Sequence, residues 1–176
     1  MPQNITSFYK VAQTRDFARL FQFRLVQFGN VAFSEDDLVY VETANLPGRA
    51  ITNVPVLYMG LPFNVPGTAT YPGSDAYPVL FRCDQNYNIR TLLEANTIDT
   101  FNDNTSTGNY NTPADSSVLI MQLLNKNLQA IQEYTLYGTY VQNVQEQQYD
   151  IKDTGQVATV QATLAYQFWR KRPAIH

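Results

Sequence analysis

The alternation of apolar and polar positions predicts a chain made mostly of strands. Phe21 to Phe28 alternates and stops at the Gly29-Asn30 turn signal. After the acidic turn Glu35-Asp36-Asp37, Leu38 to Glu42 reads as a short strand, and Val54 to Met59 and Tyr77 to Cys83 read as two more. Val118 to Leu124 is apolar on both faces and leads through Asn125-Lys126-Asn127 into a long strand, Leu128 to Val141. The last strand has the clearest pattern. Val160, Ala162, Leu164, Tyr166 and Phe168 share one face and Thr159, Gln161, Thr163 and Gln167 the other, with Trp169 ending the polar face. Helical spacing appears twice. A short helix over Thr6 to Gln13, capped by Thr6, puts Phe8, Val11 and Ala12 together, and a longer one from about Asn86 to Asn96, capped by Asp84 or Asn86, carries the stripe Ile89, Leu92, Leu93. Asp99 to Ser117 is rich in turn formers and poor in apolar residues, which predicts a long exposed loop.

One stretch fits neither strand nor loop. Asn45 to Gly67 holds four prolines, three glycines and a single charged residue, Arg49. A buried strand tolerates few prolines, because each deletes a ladder donor, and a solvated loop carries more charge. An extended, semi-rigid arm whose apolar side chains meet another surface satisfies both conditions, and that surface is either the arm's own domain or another copy of the chain.

Composition sharpens this picture. At 176 residues the chain fits one domain, residues 1–176, with enough apolar content to bury a core. Charged residues make up 15%, against roughly 25% in typical soluble proteins, and Asn, Gln, Thr and Tyr are abundant. Neutral polar surface is easier to desolvate, which suits a protein packed against partners. The net charge of −3 is unevenly spread: Asp84 to Asp153 contains nine acids and three bases. Arg170, Lys171 and Arg172 form the one basic cluster and read as part of a solvated tail, 170–176, rather than the broad basic patch of a nucleic-acid binder. The N-terminus lacks a signal core and no run reaches the roughly 20 apolar residues of a membrane helix, so a cytoplasmic start without a membrane anchor is expected.

Catalytic chemistry finds little support. The one histidine, His176, stands last with no orienting partner. Cys83 is the one cysteine and reads as a buried, inert thiol on a strand. Metal-ligand clusters and phosphate-binding glycine loops are missing from the sequence, so no catalytic residue, metal or cofactor is expected. The 23 aromatic residues leave open a carbohydrate-binding β-module, although they alternate within strands as core residues do.

Asp16-Phe17-Ala18-Arg19 leading into FQFRLVQFG, then ANLPGRAITNVPVLYMG with its Leu46-Pro47-Gly48 turn and Val54-Pro55-Val56 strand, and finally ATLAYQFW occur in this order over most of the chain. The ordered set resembles the tail tube proteins of contractile-tailed, T4-like bacteriophages. The long 99–117 loop and the seven residues after Trp169 depart from that pattern. The resemblance implies a mainly β (α+β) fold, a two-sheet β-sandwich or barrel-like domain with one flanking helix, whose strands join those of neighbours into the continuous inner barrel of a hexameric ring. Stacked rings would form a conduit for genome ejection inside a contractile sheath. The implied partners are further copies of the chain, the tail sheath protein, baseplate and tail-terminator proteins, and a tape-measure protein in the lumen, with phage DNA passing through unbound. The implied location is the virion tail, after assembly in the host cytoplasm. A baseplate tube-initiating protein and the inner tube of a phage-like bacteriocin or secretion system share this architecture.

On this resemblance the arm at about residues 45–67 would reach an adjacent subunit through Leu46, Pro47, Gly48, Arg49, Ile51, Val54, Leu57, Tyr58 and Met59, with Trp169 as a further contact. A lumen that lets DNA slide should be acidic or neutral, since a basic wall would hold phosphates. Glu133, on the long strand, is the first candidate for a lumen-facing acid, followed by Glu146, Asp150 and Asp153.

Overall fold

The computed structural model describes residues 4–173. In chain order the elements are α1 (Ile5–Thr14), β1 (Phe23–Gly29), α2 (Glu35–Val39), β2 (Val41–Ala44), β3 (Ala50–Tyr58), β4 (Leu61–Thr70), β5 (Tyr77–Arg82), α3 (Asn88–Thr100), β6 (Phe101–Asn102), β7 (Thr107–Gly108), β8 (Val118–Leu124), β9 (Ala130–Tyr137), β10 (Tyr140–Val144), β11 (Thr159–Ala165) and β12 (Phe168–Pro173). Two antiparallel four-stranded sheets, ordered β1-β8-β9-β12 and β10-β11-β5-β2, enclose one core. Two-stranded hairpins β3–β4 and β6–β7 stand apart from both.

Period-two alternation builds the core. Val160, Ala162 and Leu164 of β11 lie in register with Phe81, Val79 and Tyr77 of β5, and all six are buried. Leu25, Phe28, Leu119, Met121 and Leu136 belong to the same cluster from the first sheet. Each fully buried side chain of this size contributes about 1.5–3 kcal/mol. Helix α3 adds Ile89 and Leu93 beside β10; its N-cap position is Tyr87, at φ 55° and without a side-chain cap, while the Asp84 carboxylate, three residues earlier, accepts from the Asn88 amide at 2.8 Å. Leu92, expected in the same stripe, is only half-buried, and the helix runs on to Thr100.

The two longest expected strands are each divided between the sheets. Leu128 to Val141 becomes β9 in the first sheet and β10 in the second, with Gly138 at φ +63° between them. The chain that was expected as one final strand divides at Tyr166-Gln167 into β11 and β12. The two breaks meet: the Gln167 amide donates to the Tyr137 carbonyl at 2.9 Å, and a Cβ on Gly138 would lie 2.8 Å from Gln167 Cγ. Thr139, fully buried, donates its amide and its hydroxyl to the Ser117 carbonyl at 2.9 and 3.1 Å, so its own polar groups stay paired.

Other expectations change locally. Glu35-Asp36-Asp37 is the first turn of α2 rather than an irregular turn. Ser34 and Asp37 form a reciprocal capping box, and three acids at a helix N-terminus suit its dipole. The strand expected at Leu38 therefore begins at Val41. Asn4, not Thr6, caps α1, accepting from the Ser7 amide at 2.8 Å. The 99–117 segment is not loop throughout, since it contains the end of α3 and the β6–β7 hairpin, and Ser117 is buried. Arg170, Lys171 and Arg172 are not a solvated tail: they lie on β12, paired along β9. Cys83 follows β5 instead of lying on it and is half-buried, and partial burial raises its thiol pKa. The remainder of the expected tail, including His176, lies outside the described residues.

Candidate functional site

The arm is a β-ribbon. Strands β3 and β4 pair from Ala50–Thr70 to Tyr58–Leu61, and Met59 and Gly60, both at positive φ (48° and 80°), make a two-residue turn of the type that matches strand twist. At about 3.3 Å per residue the ribbon is about 30 Å long. Residues 51–70 are all exposed. The prolines fit because alternate pairs of an antiparallel ladder exchange no hydrogen bonds. Counted from the bonded pair Tyr58–Leu61, the pairs Leu57–Pro62, Pro55–Asn64 and Asn53–Pro66 all fall on the unbonded set. The proline rule therefore excludes a central strand but not a ribbon in which both strands are edges. Gly67 is required by packing: a Cβ there would sit 2.6 Å from Thr52 Oγ1, which accepts from the Thr68 amide at 2.9 Å.

Of the expected contact residues, Ile51, Val54, Leu57, Tyr58 and Met59 lie on the ribbon, with Met59 86% exposed at its tip. Leu46, Pro47, Gly48 and Arg49 precede it and form its root. Leu61, Phe63 and Val65, on the return strand, extend the same exposed apolar surface. The sequence reading missed these because their own strand, β4, went unrecognised.

Trp169 fixes the ribbon's root to the body. Its indole N–H donates to the Gly48 carbonyl at 2.8 Å, and its ring lies 5.5 Å from that of Tyr134 and 6.5 Å from that of Tyr71. Trp169→Phe keeps most ring contacts and removes the bond. A loss of about 1 kcal/mol in urea unfolding is expected, together with faster amide exchange in residues 48–51.

Among the described residues the first sheet has two unpaired edges, β1 and β12, and a face turned away from the core. A row of polar side chains in mutual register crosses that face: Arg24, Gln122, Glu133 and Arg172. Arg24 Nε donates to Gln122 Oε1 at 2.8 Å, and Gln122 Nε2 donates to Glu133 Oε2 at 2.9 Å. Arg170 extends from the same face of β12, with its guanidinium 5.4 Å from the centre of the Phe168 ring.

The four candidate acids do not converge. Glu133 belongs to the first sheet's outer face. Glu146, Asp150 and Asp153 lie in the exposed segment between β10 and β11, around a groove that also includes Leu80, Thr159 and Gln161 on the outer face of the second sheet. Asp153 accepts from the backbone amides of Gln156 and Gly155, which lower its pKa. Among the described residues no group of three potential metal ligands forms, and no helix is long and apolar enough to cross a membrane.

No family model and no curated protein matches the sequence. Solved structures do. One similar chain comes from the tube-terminating cap of the anti-feeding prophage, with TM-score 0.62, 12% identity and coverage of 91% of this chain and 93% of that one. Another comes from the sixfold-symmetrised baseplate of the same particle, with TM-score 0.60, 13% identity and coverage of 90% and 97%. A third comes from the extended sheath-tube complex of an extracellular contractile injection system, PVC, with TM-score 0.55, 8% identity and coverage of 98% and 100%. The chain thus has the mainly β fold of contractile injection system tube, terminator and baseplate components, in keeping with the tail-tube resemblance.

Proposed function

We propose that this chain is a non-enzymatic structural protein, the repeating subunit of a phage-type tail tube. Six copies close a ring by pairing β1 of one subunit with β12 of the next, and rings stack through the β3–β4 ribbon. The observation that carries this reading is the presence, on one molecule, of a sheet with two unpaired edges and an apolar ribbon lying outside its own core. Open edges invite uncontrolled pairing unless an assembly closes them. A ring is the closed result of a head-to-tail interface and a stack is the open one. The bore would conduct the genome, with a tape-measure protein inside, a contractile sheath outside, and baseplate and terminator proteins at the ends. The location would be the virion tail, after assembly in the host cytoplasm.

Similarity to the cap and baseplate chains supports a second reading, that of a tube-end component. Concentrating the purified protein and imaging it in negative stain distinguishes the two. Tubes of many rings are the expected result; single rings that never stack point to a tube end, and a persistent monomer overturns both.

A further inference from the structure

We infer that the outer face of the first sheet binds the phosphate backbone of a nucleic acid without reading its sequence. The inference rests on the tube reading for its role, because that face would line the bore, but the surface exists on the single subunit. Strands β1, β8, β9 and β12 place Arg24, Arg170 and Arg172 on this face and one carboxylate, Glu133. Lys171 alternates to the other side, with its Nζ 5.7 Å from the Tyr134 ring centre. All three arginines are exposed, and among the described residues none has a carboxylate within salt-bridge distance. The face is basic although the whole chain is acidic.

The guanidiniums are held in place. Arg24 is bonded to Gln122, Arg172 Nη2 donates to the Tyr137 hydroxyl at 3.1 Å, and Arg170 rests against Phe168. Arg170 and Arg172 project from one strand two residues apart, about 6.6 Å, and three strand spacings of about 4.8 Å separate them from Arg24. Fixed cations in a regular array suit an equally regular row of phosphates, and Arg recognises phosphate through its planar fork of donors. The Phe168 ring on this face is already occupied, stacked on Tyr137 at 5.0 Å and 16° and lying under the Arg170 guanidinium. Contact therefore stays with the backbone.

The cations also sit on the two edge strands. Pairing β1 of one copy with β12 of the next would bring Arg24 near Arg170 and Arg172 across the seam, where like charges repel. A polyanion lying in the bore relieves that repulsion. The wall would then grip its cargo until firing, contrary to the sliding surface expected from the acidic bias of residues 84–153.

The test is fluorescence anisotropy of labelled polythymidine with the full-length protein, with rings and tubes scored in the same samples by negative stain. Three phosphate contacts on a single strand predict that log affinity falls with log salt at a slope of about −2, each Arg→Gln variant removing about 0.7 from it. R24Q/R170Q/R172Q should abolish binding. E133Q should tighten it at low salt and have no effect at 1 M, where the Debye length is about 3 Å. The inference is overturned if the wild type does not bind, or if neither the triple variant nor E133Q changes affinity. It also falls if polyglutamate displaces the DNA equally well, which would point to an acidic protein. Aggregation of the triple variant with DNA affinity intact overturns it too, because the arginines would then only guard the edges. Tubes that form without DNA affinity defeat this inference and leave the tube reading standing. DNA binding by a protein that never forms rings supports the face and defeats the tube.

Discussion

Replacing Leu57, Tyr58, Met59 and Leu61 with serine should leave the fold intact and abolish stacking. These residues surround the ribbon tip, are 63–86% exposed, and lie outside the core cluster. Surface substitutions of this kind change stability by about 0.5 kcal/mol or less, so urea unfolding should superimpose on the wild type. In a stacked tube the same side chains would be buried against the adjacent ring. Each would then contribute about 1.5–3 kcal/mol, a combined loss of at least 6 kcal/mol per subunit contact, and a loss of that size shifts an association constant by more than four decades. Six such contacts per ring interface leave no concentration at which tubes form. Light scattering and negative stain should show single rings where the wild type gives tubes. Tubes of unchanged length would mean that the ribbon packs elsewhere and that stacking uses another surface.

The fate of the prolines shows how far the sequence could be read. The conflict between apolar character and proline content in Asn45 to Gly67 singled out a segment whose residues 51–67 are exposed and outside the core cluster. It did not reveal a ribbon, because the general proline rule concerns central strands, and the register that spares Pro55, Pro62 and Pro66 depends on where the turn falls. Strand β1 and the Ile89–Leu93 side of α3 were legible from local periodicity, and β8 from a run apolar on both faces. The corner at Gly138 was not. Strand alternation resumes after the corner, and nothing in the pattern tells which sheet a strand enters, since both sheets face the same core. Local chemistry also outweighed composition at Glu35-Asp36-Asp37, where acidity implied a turn and the Ser34–Asp37 box made a helix.

The basic face was less legible than the arm. Its charges come from residues 24, 133, 170 and 172, brought side by side by pairing between distant strands. Along the chain, Glu133 falls in the acidic region, Arg24 stands alone in a predicted strand, and Arg170 and Arg172 resemble a tail. Local charge density therefore gave no guide to the sign of the face, which depends on register and on the alternation that turns Lys171 away.

Two phenylalanines should separate folding from assembly. Phe81 is fully buried on β5, between Val160 of β11 and Val41 of β2. Its ring meets Phe28 edge-on at 5.2 Å and 82°, and lies 5.5 Å from Phe33. Phe81→Ala removes the transfer energy of a buried ring, leaves a cavity between the sheets and breaks both aromatic contacts, a cost of about 3–5 kcal/mol. Against a total of about 5–15 kcal/mol for a domain, that is enough to leave a marginally stable protein partly unfolded at 37 °C. The urea midpoint should fall steeply while the m-value stays unchanged, because the same surface is still exposed on unfolding. Phe63, 51% exposed on β4, carries the same ring in another setting. Phe63→Ala should unfold within about 0.5 kcal/mol of the wild type yet weaken tube formation. A large stability loss from Phe63→Ala would show that the ribbon is part of the domain's own folding unit, and its role in joining subunits would then have to be abandoned.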